Sequence, residues 1–110
     1  MAGLMKRISN YGILLDSLEL SPFETLNALD LRSDLQKEVI NMTNQEQLKL
    51  HQYDLYLLNH IDEIKNHLEN VYDFKDSIEP FEQCWWHLDK IFSKEIIIKP
   101  ILFVETNAAP

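Results

Sequence analysis

The chain contains little glycine and little proline. Two glycines and four prolines stand among 110 residues. This scarcity argues against an all-β fold with many tight turns and favours a few long helices. Because Gly3 and Gly12 are the only glycines, the sequence also lacks a glycine-rich loop of the kind that binds phosphate.

Cysteine is represented once, by Cys84. An intrachain disulfide is therefore excluded, and with it the class of secreted disulfide scaffolds. Cys84 lies in an apolar helical pattern, with His87 three residues further on, and this is the pair that most suggests nucleophilic catalysis. No third group that would orient the pair is evident, and an unpaired cysteine usually behaves as a small hydrophobic residue. We therefore predict a buried thiol and a protein that is not an enzyme.

Long apolar runs and basic clusters are also missing. No run reaches the length of a membrane-spanning helix, and no signal-peptide core follows Lys6 and Arg7, so we expect a cytoplasmic protein without a membrane partner. Eighteen acidic against ten basic side chains give a net charge of −8, and the excess acid falls on residues 21–90. Nucleic-acid binding requires clustered lysine and arginine, so this class of partner is not expected.

A long central helix is predicted over about residues 44–72. Thr43 and Glu46 have the spacing of a capping box. Six apolar residues then recur at helical steps: Leu50, Leu57, Ile61, Ile64, Leu68 and Val71. A rod of about 30 residues is about 45 Å long at about 1.5 Å per residue. Three arrangements would accommodate it: a bend near 51–54, an elongated bundle, or cover from a second chain.

Shorter helices are predicted around this element. Residues 3–18 have helical spacing, with a strand over 11–20 as the alternative. Ser21 and Pro22 mark the start of a second helix, which reaches about residue 41 either as one bent helix or as two short ones. Pro80 is expected to open a further helix. The sequence thus predicts a mainly α fold, with about four helices packed around the central one in a single domain over 1–110.

The C-terminal segment has a different character over about residues 95–105. It is dense in β-branched and other apolar residues: Ile96, Ile97, Ile98, Ile101, Leu102, Phe103 and Val104. This composition favours extended structure, and Pro100 would confine a strand to a sheet edge. Residues 106–110 are expected to be frayed.

Two groups of side chains suggest a bound metal. The loop carboxylates Asp73, Asp76, Glu79 and Glu82 are the ligand type that calcium prefers. His60, Glu63 and His67 lie on one helical strip and suggest a divalent metal. The glycine-centred loop of a helix-loop-helix calcium site is missing, and so is the His-Glu-x-x-His motif of zinc proteases.

The function predicted first is a non-enzymatic acidic helical protein that binds another protein, or a second copy of itself, and needs no cofactor. Its predicted partner-binding residues are Trp86, Ile96, Ile98, Ile101 and Phe103. Adjacent tryptophans cannot share one helix face, so Trp86 is either boundary packing or an exposed anchor. The acidic surface favours a partner with a basic surface. A calcium-binding regulator and a small metal-dependent enzyme are the alternatives.

Overall fold

Five α-helices form the described part of the chain, which in this computed structural model comprises residues 3–80 and 82–95. They are α1 (Gly3–Leu15), α2 (Pro22–Gln36), α3 (Asn44–Asn59), α4 (Ile61–Leu68) and α5 (Leu88–Phe92). Short 3-10 turns lie at Val39–Asn41, Phe74–Asp76 and Cys84–Trp86. The predicted mainly α fold is confirmed. The segment predicted as extended, about 95–105, lies outside the described residues apart from its first position.

The predicted helix starts are present at α2 and α3. The Thr43 hydroxyl accepts from the Glu46 backbone N–H at 3.1 Å, and the Glu46 carboxylate accepts from the Thr43 N–H at 2.8 Å. Ser21 caps α2 by accepting from the Glu24 N–H at 3.4 Å, with Pro22 at the first helical position. Each cap satisfies backbone donors that the first helical turn leaves unpaired.

The predicted continuous central helix is divided at His60. The backbone there adopts φ −117° and ψ 27°, and the Tyr56 carbonyl accepts from both the His60 N–H (3.0 Å) and the imidazole Nδ1 (2.9 Å). A side chain that competes for a helix carbonyl in this way weakens the regular ladder. The bend therefore falls at His60 and not near residues 51–54, and the Cα radius of gyration of 13.8 Å is close to the about 13 Å of a compact domain.

The first three helices enclose most of the core. α1 and α2 form an antiparallel hairpin, and an ion pair of Arg7 with Glu38 (2.8 Å) joins the start of α1 to the chain just after α2. α3 packs on α1, while α4 packs on α2 and α5. The buried apolar cluster comprises Ile8, Tyr11, Leu15, Ala28, Leu29, Leu35, Met42, Leu50, Leu57, Ile64, Leu68, Phe74, Trp85, Trp86 and Leu88.

The prediction that Pro80 opens a further helix is wrong for the described residues, because the elements that follow Pro80 there are a 3-10 turn and then α5. Cys84–Trp86 forms a 3-10 turn, in which the His87 N–H bonds to the Cys84 carbonyl at 2.9 Å. His87 then leaves helical geometry, with φ −134° and ψ 43°, before α5 begins. Both neighbouring tryptophans are buried in this interrupted segment.

The Tyr53 ring of α3 packs directly against Gly12 of α1. A β-carbon at this position would overlap the ring of Tyr53, which is itself in edge contact with Tyr11 at a centroid distance of 6.3 Å. No heavy atom lies within 4 Å of a β-carbon built on Gly3. The packing of the Tyr53 ring on α1 therefore depends on the absence of a side chain at residue 12.

We predict that Gly12→Ala lowers the free energy of unfolding by about 1 to 3 kcal/mol, because overpacking outweighs the better helix propensity of alanine. Urea unfolding followed by circular dichroism measures the change. Gly3→Ala is the matched control and is expected to leave stability equal or slightly higher. A Gly12→Ala protein as stable as the Gly3→Ala protein would contradict the prediction.

Candidate functional site

Trp86, predicted as a partner-binding residue, is buried with only 7% of its surface exposed. The Ser33 hydroxyl accepts from the indole N–H of Trp86 at 2.8 Å and from that of Trp85 at 2.9 Å. Ser33 also donates to Gln83 at 3.3 Å, so its hydroxyl is fully used. Of the two possibilities that the sequence left open for Trp86, the structure shows packing and not an exposed anchor. The other four predicted binding residues, Ile96, Ile98, Ile101 and Phe103, lie outside the described residues.

The predicted calcium ligands are not brought together as a site. Asp73 accepts from the Lys75 backbone N–H at 3.0 Å and so caps a 3-10 turn. Asp76, Glu79 and Glu82 are exposed. Across residues 3–80 and 82–95, no group of three or more His, Cys, Asp or Glu side chains is arranged to hold a metal ion.

His60, Glu63 and His67, the other predicted metal-binding group, are likewise not arranged as a metal site. His60 Nδ1 bonds to the Tyr56 carbonyl, and its ring stacks on the Tyr56 ring at 4.0 Å. His67 Nε2 lies 3.1 Å from the Leu20 carbonyl. His60 and His67 thus each contact a backbone carbonyl, one within α3 and the other in the loop before α2.

A buried ion pair between Arg32 and Asp54 is the strongest electrostatic feature of the described residues. Arg32 Nε and Nη2 donate to the two carboxylate oxygens of Asp54, each at 2.9 Å. The Tyr11 hydroxyl donates to the same carboxylate at 2.7 Å, and Arg32 Nη1 donates to Gln36 at 2.9 Å. The guanidinium lies 4.3 Å from the centroid of the Trp85 ring. This cluster joins α1, α2, α3 and the turn that carries the tryptophans.

The pKa values of the cluster reflect burial and mutual charge. Burial alone lowers the pKa of Arg32, but the charge of Asp54 and the hydrogen bonds to it more than offset this, and the pKa is raised. Burial, followed by the charge of Asp54, raises the pKa of Tyr11 well above its usual value. Burial also raises the pKa of the Cys84 thiol to about 11. A thiol with this pKa is overwhelmingly protonated at neutral pH and is a weak nucleophile.

Sequence reasoning missed this cluster, although the sequence carries a signal for it. Arg32 falls between Leu29 and Leu35 on the apolar stripe of α2, and Asp54 falls between Leu50 and Leu57 on that of α3. A lone charge on an apolar stripe is rarely buried unless it is paired. One cation and one anion so placed on successive helices predict a pair.

A surface groove lies between the first two helices. It has a volume of about 520 Å³ and is lined by Asn10, Ile13, Leu14, Asn27, Asp30, Leu31 and Asp34. We call it the α1–α2 groove. Its apolar side chains include Ile13, which is 60% exposed. Asp30 and Asp34 supply negative charge from α2.

Asp30 is held in an unfavourable electrostatic environment. Partial burial, then the charges of Asp34 and Glu79, raises the pKa of its carboxyl. Asp34 has Lys37 at 3.8 Å, whereas none of the described basic side chains lies within ion-pair distance of Asp30. The ionised form of Asp30 therefore costs the folded state some stability.

A second cleft, the kink cleft, lies where α3 meets α4. It has a volume of about 330 Å³ and is lined by Asp16, Leu18, Glu19, Tyr56, His60, Glu63 and Ile64. The Tyr56 hydroxyl donates to Asp16 at 2.5 Å. This hydrogen bond, together with partial burial, raises the pKa of Tyr56 to about 12. The kink cleft is therefore lined by three carboxylates, and one of them, Asp16, already accepts a hydrogen bond within the fold.

Comparison with known proteins identifies no relative: no family model, no curated protein and no solved structure matches this chain. Among the described residues, no helix combines the length and the apolarity that crossing a membrane requires.

We predict that Arg32 and Asp54 are strongly coupled. Asp54→Asn leaves a buried guanidinium without a counter-charge, which costs about 3 to 5 kcal/mol of unfolding free energy. Arg32→Met is also destabilising, and the double variant costs less than the two single changes together. Urea unfolding of the four proteins gives the coupling energy.

The exposed pair Lys37 and Asp34, with side chains 77% and 60% exposed, is the control for this cycle. Its coupling is expected to be about 0 to 1 kcal/mol, as for other surface pairs. Equal coupling energies in the two pairs would contradict the prediction that Arg32 and Asp54 are strongly coupled.

Removal of the Asp30 charge is predicted to stabilise the protein at neutral pH. Because the folded pKa is raised, the penalty from ionised Asp30 is present above that pKa and disappears as the pH falls below the ordinary carboxyl pKa. Asp30→Asn should raise the melting temperature at about pH 7, with a smaller gain at about pH 3.5, below the ordinary pKa of about 3.9. Asp76→Asn, at another exposed acid, is the control. An equal rise in melting temperature from both changes would contradict the prediction, since it would be explained by the lower net negative charge alone.

Proposed function

We propose that this chain is a non-enzymatic interaction protein that binds another protein through an acidic surface carrying exposed apolar side chains. The observation that carries the proposal is the α1–α2 groove, where exposed Ile13 adjoins the carboxylates Asp30 and Asp34. Large apolar side chains at a surface, bordered by charge of one sign, are typical of sites that bind a complementary partner.

The charge balance supports a basic partner. The net charge of −8 gives the protein a field that attracts cationic surfaces and speeds encounter with them. The same field repels a second copy of this chain, so a different protein is a better candidate than self-association. Phosphate-rich nucleic acid would be repelled as well.

Further support comes from the chemistry of the titratable groups. The Cys84 thiol, with its pKa of about 11, is unsuited to act as a nucleophile. His87 Nε2 lies 2.6 Å from the Glu79 carbonyl and serves to hold that loop. These two residues, the pair that most suggested catalysis, thus have packing and hydrogen-bonding roles.

The C-terminal segment remains part of the proposal on sequence grounds. Ile96, Ile98, Ile101 and Phe103 are apolar and would add contact area to an interface begun by the helices. Experiment can distinguish the two contributions. Substituting the apolar side chains removes that of the C-terminal segment, whereas salt weakens that of the acidic surface.

Capture of partner proteins from the native host by the immobilised full-length chain tests the proposal. We expect a specific protein partner whose retention weakens as salt rises from about 0.1 M to about 1 M, because the Debye length falls from about 10 Å to about 3 Å. A full-length variant with Ile96, Ile98, Ile101 and Phe103 changed to serine should retain less of it.

The matched control changes Ile40 and Ile78 to serine, since both are highly exposed and lie outside the α1–α2 groove and the C-terminal segment. It should retain the partner as the unmodified protein does. Absence of any specific partner, or retention that is indifferent to both salt and the C-terminal changes, would argue against the proposed function.

A further inference from the structure

We propose that the α1–α2 groove is the docking site for a short basic amphipathic segment of a partner protein, with an apolar side chain over Ile13 and a lysine or arginine against Asp30 and Asp34. This inference rests on the proposed function and specifies the surface and the occupant. It differs from the sequence prediction, which placed the interface at the C-terminal segment and at Trp86.

A second large apolar side chain is exposed on the face of α2 that contributes to the groove, although it is not among the lining residues. Ile13, Leu14 and Leu31 line the groove, and Phe23, 65% exposed, precedes Asn27 by one helical turn on α2. Residues spaced by four and seven positions lie on one helix face, so Phe23, Asn27 and Asp30 share that face. The exposed Ile13 and Phe23 side chains each offer a partner apolar area that water otherwise covers.

The polar part of the groove selects the charge of the partner. Asp34 has a partial counter-charge in Lys37 at 3.8 Å, but Asp30 has none among the described residues. Asp34 and Glu79 both act on Asp30 as like charges. A cationic side chain from a partner would relieve this repulsion and form a charge-assisted hydrogen bond, whereas an acidic partner would increase it.

The dimensions indicate a short segment. From Asn27 to Asp34 the helix rises about 10 Å at about 1.5 Å per residue. About two turns of a partner helix fit this length, and a helix presents an apolar and a basic side chain together when they are three or four residues apart. The occupant is therefore a segment with leucine-like residues and lysine or arginine at that spacing.

The kink cleft is a weaker candidate for the same occupant. Its apolar lining consists of Leu18 and Ile64, and Ile64 is fully buried in the core. Asp16 in that cleft already accepts from Tyr56. It therefore offers acid with little exposed apolar surface, and it serves as an internal comparison for the groove.

Titration of the ¹⁵N-labelled full-length protein with three peptides tests the assignment. Each is about 14 residues long, or about four helical turns. The first carries leucine on one helix face and lysine and arginine on the other, the second replaces the basic residues by glutamate, and the third replaces leucine by serine. Only the first is expected to shift the amide resonances of residues 10–14 and 27–34, and its affinity should fall as salt increases.

Two variants identify the residues responsible. Asp30→Asn combined with Asp34→Asn should weaken the first peptide about tenfold, and Ile13→Ser should weaken it to a similar extent. The matched control combines Glu19→Gln with Glu63→Gln, which removes two charges from the kink cleft and should leave affinity within about twofold. All five positions are exposed, and an unchanged amide spectrum away from the groove verifies that each variant is folded.

The outcomes separate this inference from the proposed function. Shifts confined to the kink cleft or another surface, equal binding of the glutamate peptide, or the absence of groove shifts with the first peptide would overturn the groove assignment. A host partner captured with equal strength by the Asp30→Asn, Asp34→Asn protein would overturn the groove and leave the proposed function standing. Groove shifts with no host partner would overturn the proposed function instead.

Discussion

The ion pair of Arg32 with Asp54 is the interaction on which the arrangement of this protein depends. A guanidinium 7% exposed and a carboxylate 26% exposed meet in a bidentate geometry that holds α2 against α3. Taking such charges out of water costs several kcal/mol per ion. For the two ions together, this cost is comparable to the whole unfolding free energy of a small domain. Tyr11 donates a further hydrogen bond to the Asp54 carboxylate and Gln36 accepts one from the Arg32 guanidinium, and both help to offset this cost.

The adjacent residues Trp85 and Trp86 lie in the turn that packs against this ion pair. Trp85 lies against the guanidinium face, and its neighbour in the chain has to be buried as well. A 3-10 turn permits this, and Ser33, one residue after Arg32, accepts both indole N–H groups. The turn and its hydroxyl acceptor thus lie directly against the Arg32–Asp54 pair. Trp85 thus helps to enclose the polar cluster, and neither tryptophan is an exposed surface anchor.

Local rules predicted the local structure well. The caps at Ser21 and Thr43, the extent of α1 and the mainly α class follow from short-range patterns, because capping and amphipathic spacing act within one or two helical turns. The break at His60 and the 3-10 turn before α5 were missed, since they depend on a side chain competing for a carbonyl and on contacts with distant residues. The candidate groove was missed for the same reason: a groove belongs to two helices at once, and neither helix pattern contains it.

Two aspartates show how the requirements of the fold and of the proposed binding surface differ. Asp54 is largely buried and fully paired, and its charge is compensated where it stands. Asp30 is exposed, lacks a counter-charge among the described residues and lies near like charges that raise its pKa. The raised pKa means that the ionised form of Asp30 is disfavoured in the folded state, and groups with perturbed pKa values are enriched at functional sites. Asp54 therefore contributes to the packing of α1, α2 and α3, whereas Asp30 is the residue on which the proposed binding surface most depends.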